Sequence, residues 1–370
     1  MESQQLLNPF PWYRRMRESD PVYYDEQEHS WNVFRYQDVQ RVLADYQTFS
    51  SQLTEGGDQP LDTSIINLDP PRQRLLRMVI APAFTTQAIA RLAPRISRIV
   101  QELLDQVSAQ GGMDVIDDLA RPLPVMVIAE LLGIPVEERE RFKQWAYRLV
   151  FEGGPAPAEL YESFSHLVED HRRRPRDDVI SLLLAGRIEG KPLAHEELLG
   201  FCVLLMVAGS ITTTLLIGNA FLCFDEYPEA LEQLYADRSL LPSAIEEVLR
   251  YRSPVRHMYR VCASGTTLGG RRIEAGEFIV AWIGSANRDE AVFRDGESFR
   301  INRLPNRHLA FGYGVHRCPG APLARLEARI ALAAMLERFA AIRLVHDGLL
   351  EPLGGILHGV NHVPVTFQNA

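Results

Sequence analysis

The sequence predicts a mainly α-helical protein with small β-sheets, and three observations lead to that prediction. Apolar residues recur at three-to-four spacing over most of the chain, strand-like runs are short and occur at two places, and an uncharged stretch runs from 198 to 224. The 370 residues are 46% hydrophobic and 24% charged, which excludes disordered, collagen-like and coiled-coil classes. Because no repeat or Ser/Gly linker interrupts the chain, we expect one domain over residues 1–370.

Charge and cysteine content narrow the class further. With 39 Lys and Arg against 48 Asp and Glu, the net charge of −9 lacks the basic excess of a nucleic-acid-binding protein. The four cysteines are scattered, without zinc-site or CxxC spacing. The first twenty residues lack the apolar core of a signal peptide. We therefore expect a cytoplasmic protein that binds no nucleic acid.

Periodicity and breaking residues define the individual elements. A helix is predicted over 86–110, with Pro94 as a kink or restart. Further helices are predicted at 136–152, 158–172, 177–185, 229–235 and 242–251. The charged run 171–178 is predicted to be a solvated loop. Strands are predicted at 22–24 and 31–34 as one hairpin, and at 267–273 and 278–282 as a second pair.

The uncharged stretch 198–224 is long enough to span a bilayer, but its flanks argue against that. Glu196 and Glu197 precede it, Asp225 and Glu226 follow it, and no Lys/Arg bias sets an orientation. We therefore predict a buried helix through a large core, and no membrane.

The segment with the clearest chemistry is 311–330, FGYGVHRCPGAPLARLEARI. Gly312, Gly314 and Gly320 surround Cys318, and an amphipathic helix follows. A helix N-terminus favours a thiolate over a thiol, and the glycines let the backbone pass close to a flat group. The alternative is a buried structural cysteine before a core helix.

The string resembles the heme-binding signature of the cytochrome P450 family, Phe-Gly-x-Gly-x-His-x-Cys-x-Gly, at every fixed position from Phe311 to Gly320. The resemblance implies a single-domain cytochrome P450 fold with a long central helix over heme b. It makes Cys318 the axial thiolate ligand of the heme iron. Thiolate donation favours O–O cleavage.

Further matches to the family lie elsewhere along the chain. Glu247 and Arg250 match its Glu-x-x-Arg pair, and Arg303 matches the arginine that joins them in a buried supporting network. Taken alone, such a pair is usually a minor surface salt bridge. The resemblance gives Arg77, Arg260 and His316 as contacts of the heme propionates. At position 73 the family often has His; Gln73 can donate a hydrogen bond there but cannot become cationic.

The uncharged helix carries VAGSITTT at 207–214, which resembles the family's oxygen-binding stretch. By that resemblance Ala208 and Gly209 leave room above the heme, and the Thr212 hydroxyl helps to protonate dioxygen. The alternative for Thr212 is a hydroxyl bonded back to the preceding turn. Ile211 replaces the family's usual acid. Protons then arrive through Thr212, Ser210 and water or from a substrate hydroxyl, or peroxide is the better oxidant.

The resemblance implies a heme-thiolate monooxygenase that inserts one oxygen atom of O2 into a small hydrophobic substrate. Its pocket candidates include Val207, Val255 and Leu357 beside the central helix. No flavin or iron–sulfur segment follows the heme loop, so we expect electrons from a ferredoxin and a ferredoxin reductase. The docking candidates for an acidic carrier are Arg72, Arg74, Arg317 and Arg325. A peroxide-driven peroxygenase and a non-catalytic heme sensor are the alternatives.

Overall fold

The computed structural model describes residues 3–53, 64–150, 157–346 and 350–370. Within them the helices, in chain order, are α1 (Ser3–Leu7), α2 (Phe10–Ser19), α3 (Tyr36–Ala44), α4 (Arg72–Ile80), α5 (Thr86–Ala90), α6 (Ala93–Val107), α7 (Pro122–Leu131), α8 (Arg139–Val150), α9 (Ala158–Arg173), α10 (Val179–Ala185), α11 (His195–Glu226), α12 (Pro228–Ala236), α13 (Leu241–Tyr251), α14 (Ile283–Ala286) and α15 (Ala321–Arg338). The strands are β1 (Val22–Asp25), β2 (Ser30–Val33), β3 (Phe49–Ser50), β4 (Gly112–Asp114), β5 (Arg187–Ile188), β6 (Lys191–Pro192), β7 (Met258–Cys262), β8 (Thr266–Leu268), β9 (Arg271–Ile273), β10 (Phe278–Ala281), β11 (Phe339–Leu344) and β12 (Pro364–Asn369).

The predicted helices are present, with boundaries set by capping and proline. The segment 86–110 divides into α5 and α6, and Pro94 occupies the first turn of α6, where its missing N–H leaves no hydrogen bond unmade. The segment 136–152 begins as a 3₁₀ turn at Val136–Glu138 and continues as α8. Its predicted last residues, 151 and 152, lie outside the described ranges.

The first predicted hairpin is confirmed, because β1 pairs antiparallel with β2. The second predicted pairing is wrong. β8 and β9 pair with each other across Gly269 and Gly270, whose φ values of 54° and 81° suit a tight two-residue turn. This leaves β10 free to run parallel to β2 and antiparallel to β7. A sheet of order β1-β2-β10-β7-β3 results, and β11-β12-β4 form a second sheet.

The uncharged stretch forms α11, as predicted for a core helix. Its most apolar window has a mean hydropathy of 2.1, enough by length and composition to cross a membrane, but 72% of that window is buried inside the fold. α7, α13 and α15 pack against it. Most of the apolar surface of α11 is therefore covered by the same chain.

The predicted solvated loop at 171–178 is partly wrong. α9 continues to Arg173, and His171 is 1% exposed. Its Nε2 lies 2.6 Å from Asp178 Oδ2, and its Nδ1 lies 2.7 Å from the Leu167 carbonyl oxygen. Asp178 also accepts a hydrogen bond from the Ser181 N–H at the start of α10. The pair therefore joins the ends of two helices, which charge content alone did not indicate.

Candidate active site

The loop from Phe311 to Gly320 brings the Cys318 sulfur to the start of α15. The Cys318 N–H donates to the Phe311 carbonyl oxygen at 2.8 Å, which closes the loop. Gly312 and Gly314 have φ values of 70° and 71°, which favour glycine. A Cβ on Gly314 would lie 2.8 Å from the Ala44 Cα, so glycine also permits the close approach of α3.

Two opposing effects act on the Cys318 thiol. Burial raises its pKa, whereas the backbone N–H groups of Gly320 and Ala321 and the cation of Arg77 lower it, and the net pKa is raised. The helix terminus alone is therefore insufficient to favour the thiolate, contrary to expectation. Cys318 nevertheless retains accessible surface. A metal cation bound there would deprotonate the sulfur outright.

α4 holds the cysteine loop from one side. The Gln73 Nε2 donates to the Val315 carbonyl oxygen at 2.9 Å, and the Arg77 Nη1 donates to the same oxygen at 3.2 Å. Arg77 Nη2 donates to the Arg317 carbonyl oxygen. These bonds assign Gln73 and Arg77 to the loop, and their predicted contacts with propionates stay predictions.

Arg260 and His316 both lie beside Asp69. Arg260 is 4% exposed, and burial lowers its pKa to about 10. His316 Nε2 is buried 3.9 Å from Asp69 Oδ1 and has no hydrogen-bond partner among the described residues. Ser50 and the Ser51 N–H hold Asp69 in place. Sequence reasoning missed Asp69, although its position directly before Pro70 and Pro71, in the segment that leads to Gln73 and Arg77, was a usable signal.

The middle of α11 has an accessible face inside an otherwise buried helix. Ala208 is exposed, and Val207, Gly209 and Thr212 are half-buried. Ala208 and Thr212 lie one turn apart and so share this face. The Thr212 hydroxyl donates to the Ala208 carbonyl oxygen at 2.9 Å, so it bonds back to the preceding turn. The hydroxyl oxygen can still accept a hydrogen bond.

Two neighbours of this face are less available than the sequence suggested. Ile211 is 7% exposed, so packing surrounds most of its side chain. Ser210 is fully buried and lies about 200° around the helix from Ala208. Ser210 is therefore not placed to share a proton path with Thr212.

A turn near the C-terminus brings the remaining pocket candidates to α11. Val255 and Leu357 form an antiparallel bridge, and both side chains are half-buried. A Cβ on Gly359 would lie 2.7 Å from the Leu215 side chain, which places this turn beside the helix turn that follows Thr212. Three separate segments thus supply the predicted pocket residues.

Glu247, Arg250 and Arg303 form a buried network. Glu247 and Arg250 are fully buried, and the two Arg250 nitrogens Nε and Nη2 each donate to a Glu247 carboxylate oxygen at 2.8 Å. Arg303 Nε donates to the same carboxylate at 3.0 Å. Arg250 also donates to the Asn287 carbonyl oxygen, and Asn287 Oδ1 accepts from the Leu309 N–H at 2.7 Å. The network therefore connects α13 to the segment that enters the cysteine loop.

These residues fit a heme. The sulfur is accessible at a helix start, an uncharged accessible helix face lies in the core, and a buried guanidinium and an unpartnered imidazole nitrogen suit carboxylates. When bound, heme supplies the oxidising chemistry, while the protein orients the substrate and excludes water. Two surface clefts of about 530 and 540 Å3 lie elsewhere, and none of the predicted site residues lines either one.

Comparisons with known proteins give the family to which the chain belongs. The family model for cytochrome P450 matches residues 157–347. The putative cytochrome P450 YjiB of Bacillus subtilis is 40% identical over 98% of this chain and 95% of its own length. The erythromycin C-12 hydroxylase of Saccharopolyspora erythraea is 38% identical over 96% of this chain and 93% of its own. Substrate-free CYP109E1 from Bacillus megaterium superposes with a TM-score of 0.94 at 40% identity, covering 98% of this chain and 100% of that one.

Relatives that are named for hydroxylation favour oxygen insertion over the peroxygenase and sensor alternatives. Bacterial members of the family take electrons from separate redox partners and act on small organic substrates with O2. The chain belongs to the cytochrome P450 family and is a heme-dependent monooxygenase.

Proposed function

We propose that this monooxygenase hydroxylates a neutral, rigid, apolar molecule of steroid-like size. The observation that carries the proposal is the accessible surface beside α11, where Val207, Ala208, Val255 and Leu357 are uncharged. Ile356, in the same turn as Leu357, is 37% exposed. Such a surface suits an apolar ligand that needs no counter-ion. The structure of CYP109E1 with corticosterone, at 41% identity and a TM-score of 0.91, supports this class.

The residues of the site take the following roles in the proposal. Cys318 holds the heme iron, and Arg260 and His316 receive the propionates. Gln73 and Arg77 keep the cysteine loop in place through its carbonyl groups. Ala208 leaves space for O2, and Thr212 moves protons at its hydroxyl. Gly209, predicted to leave space as well, instead permits close packing against α7, because a Cβ there would lie 2.6 Å from the Ile128 Cδ1.

The proposed electron donor is a ferredoxin served by its reductase, in the cytoplasm. Arg74 and Arg317 are exposed cations, and Met78 on α4 and Tyr313 in the cysteine loop are exposed as well. Arg72 pairs with Glu197, however, and Arg325 donates to both Glu246 oxygens at 2.6 and 2.7 Å. Because carboxylates neutralise these two arginines, we assign the attraction of an acidic carrier to Arg74 and Arg317.

A ligand titration followed by turnover tests the substrate class. Corticosterone and testosterone are added to the ferric protein, with laurate as an anionic comparison, and the low-spin to high-spin change is recorded. We expect saturable shifts with both steroids and a hydroxylated product that carries one atom of labelled O2. A shift with laurate and none with either steroid would overturn the proposed class.

A further inference from the structure

Arg256 is buried and fastens the turn at 353–357 through main-chain oxygens. It is 1% exposed. Its Nε donates to the Leu357 carbonyl oxygen at 2.7 Å, and its Nη2 donates to the Leu353 carbonyl oxygen at 2.7 Å. Its main-chain N–H donates to the Ile356 carbonyl oxygen at 2.8 Å. One residue thus contacts three carbonyl groups of a five-residue turn.

The base of this turn is held by other bonds, whereas its tip depends on Arg256. The Leu353 N–H donates to the Gly359 carbonyl oxygen at 2.9 Å, and the Asn219 Nδ2 donates to the His358 carbonyl oxygen at 2.9 Å. Between these points lie Gly354 and Gly355, which restrict the backbone least of all residues. Main-chain bonds hold the tip as well, from the Arg256 N–H to Ile356 and from the Leu357 N–H to the Gly354 carbonyl oxygen at 3.4 Å. The Arg256 side chain adds the restraint on the carbonyl groups of Leu353 and Leu357.

Stability alone does not account for a guanidinium at this position. Burial lowers the pKa of Arg256, and its hydrogen-bond acceptors within the described ranges are carbonyl oxygens. A buried charge without a carboxylate partner is costly. The hydrogen bonds to the Leu353 and Leu357 carbonyl groups offset part of this cost, and they fix the turn that presents the exposed Ile356 and half-buried Leu357 beside the accessible face of α11.

We propose that Arg256 is a positioning residue for substrate specificity. By fixing the carbonyl groups of Leu353 and Leu357, it sets how far Ile356 and Leu357 reach over the pocket, and thus which ligand shapes fit. The proposal for Arg256 rests on the proposed function in one respect, namely that the accessible face of α11 is the substrate pocket. It does not depend on the native substrate being a steroid.

Azole ligands of graded size test the proposal in the ferric protein, because their nitrogen binds heme iron whatever the native substrate is. Imidazole and 4-phenylimidazole are titrated against wild type, Arg256→Met and Arg256→Lys, with heme content and the CO spectrum measured alongside. The ratio of the two Kd values should change by about tenfold in Arg256→Met. Arg256→Lys, which keeps one donor group, should have a Kd ratio between those of wild type and Arg256→Met. Hydrogen exchange of the amides at 353–357 should rise in Arg256→Met.

Arg288→Met is the control for loss of a buried arginine: Arg288 is also 1% exposed and donates to the Tyr251 main-chain oxygen, and it differs from Arg256 in pairing with Glu297 at 2.6 Å. It should leave the azole ratio and the exchange of the turn unchanged. An equal change in the control, or an unchanged ratio in heme-loaded Arg256→Met, would overturn the proposal. If Arg256→Met loses heme, the azole titrations are repeated with Ile356→Ala, because the Ile356 side chain is 37% exposed. An unaltered ratio of azole Kd values in Ile356→Ala would show that the turn does not shape the pocket. Failure of the steroid titration with a changed azole ratio would reject the substrate class alone.

Discussion

Among residues 205–214, all of which the structure describes, Thr212 is the polar residue on the accessible face of α11. Ser210 points away from Ala208 and is fully buried, and Ile211 has no proton to give. The Thr212 hydroxyl bonds to the preceding turn, yet it can rotate or accept a hydrogen bond from the pocket. We therefore expect proton delivery to depend on Thr212, on water, or on a hydroxyl of the substrate.

We expect Thr212→Val to lower the product formed per NAD(P)H by roughly threefold or more and to raise peroxide release, since proton transfer is lost without a change of shape. Thr213→Val is the matched control, because Thr213 is 3% exposed and its hydroxyl also bonds back one turn, to Gly209 at 3.3 Å. Product, peroxide and NAD(P)H are measured together with a surrogate ferredoxin. Equal coupling in both variants would point to protons supplied by the substrate.

Glu327 is a buried carboxyl on α15 whose two oxygens have no hydrogen-bond partner in the described ranges. Burial raises its pKa well above that of an exposed glutamate. The folded state therefore keeps this proton at a pH where the unfolded chain has lost it. Its contribution to stability is complete below about pH 4.3 and declines as the pH rises toward the raised pKa.

Glu327→Gln should remove this pH dependence and stabilise the protein at pH 8 by roughly 1–3 kcal/mol, with little difference from wild type at pH 5. Urea unfolding at pH 5 and pH 8 measures the free energy of unfolding of both proteins. Glu337→Gln, at an exposed position on the same helix, should change neither value. A gain of the same size at pH 5 and pH 8 would show that ionisation of Glu327 is not the cause.

At the scale of elements, the Glu247 carboxylate organises several segments at once. It accepts from Arg250, Arg303, the Arg300 N–H at 2.8 Å and Asn306 at 3.1 Å. Deleting it leaves two guanidinium groups without their buried counter-ion, at a cost of about 3–5 kcal/mol. We therefore expect Glu247→Ala to yield mostly heme-free or aggregated protein.

The control is Glu169→Ala, because Glu169 and Arg172 form an exposed pair with the same acid-to-arginine spacing at 3.3 Å. Its loss should cost about 0–1 kcal/mol. Heme content and the urea midpoint are compared for both variants. A Glu247→Ala protein that holds heme and unfolds like wild type would reduce the network to a minor contact.

Elements with strong periodicity were predictable, and elements that depend on distant partners were not. α6, α9 and α11 follow from apolar spacing or from an uncharged run, which are local properties. The partner of β10 could not be read locally, because Gly269 and Gly270 let β8 and β9 close on each other. The buried His171 was missed for a different reason: its partner Asp178 lies in the same charged run, at the N-cap of α10, and charge content does not show which members of such a run are buried.

At the scale of the whole molecule, the resemblance predicted the family and the fold, but it did not reveal how the protein satisfies its charges. Two of four predicted docking arginines are neutralised by acids that lie far away in sequence, Glu197 and Glu246. Arg325 and His308 contribute to a pKa of about 2 for Glu246, against the opposing effect of burial. Asp69 and Arg256 were missed because their contacts form only on folding.

Docking of the electron donor should therefore depend on Arg74 and Arg317. The double variant Arg74→Glu/Arg317→Glu should weaken binding of an acidic surrogate ferredoxin by about tenfold at low salt, with a smaller effect at high salt. Arg173→Glu, at an exposed position on α9, is the charge-matched control. The effect of both variants is measured as the rate of first-electron transfer from the ferredoxin across a salt series. A double variant that reduces as fast as the control would move the docking surface elsewhere.

Every role proposed for the site depends on Cys318 holding a heme iron as a thiolate. The most direct test of this ligation is the CO-difference spectrum of dithionite-reduced protein, recorded for wild type and Cys318→His at equal protein concentration. Cys223→Ser, at a buried cysteine outside the site, serves as control. We expect the strongly red-shifted Soret band of thiolate ligation in wild type and control, and we expect that band to be lost in Cys318→His. The same red-shifted band in Cys318→His would contradict ligation by Cys318.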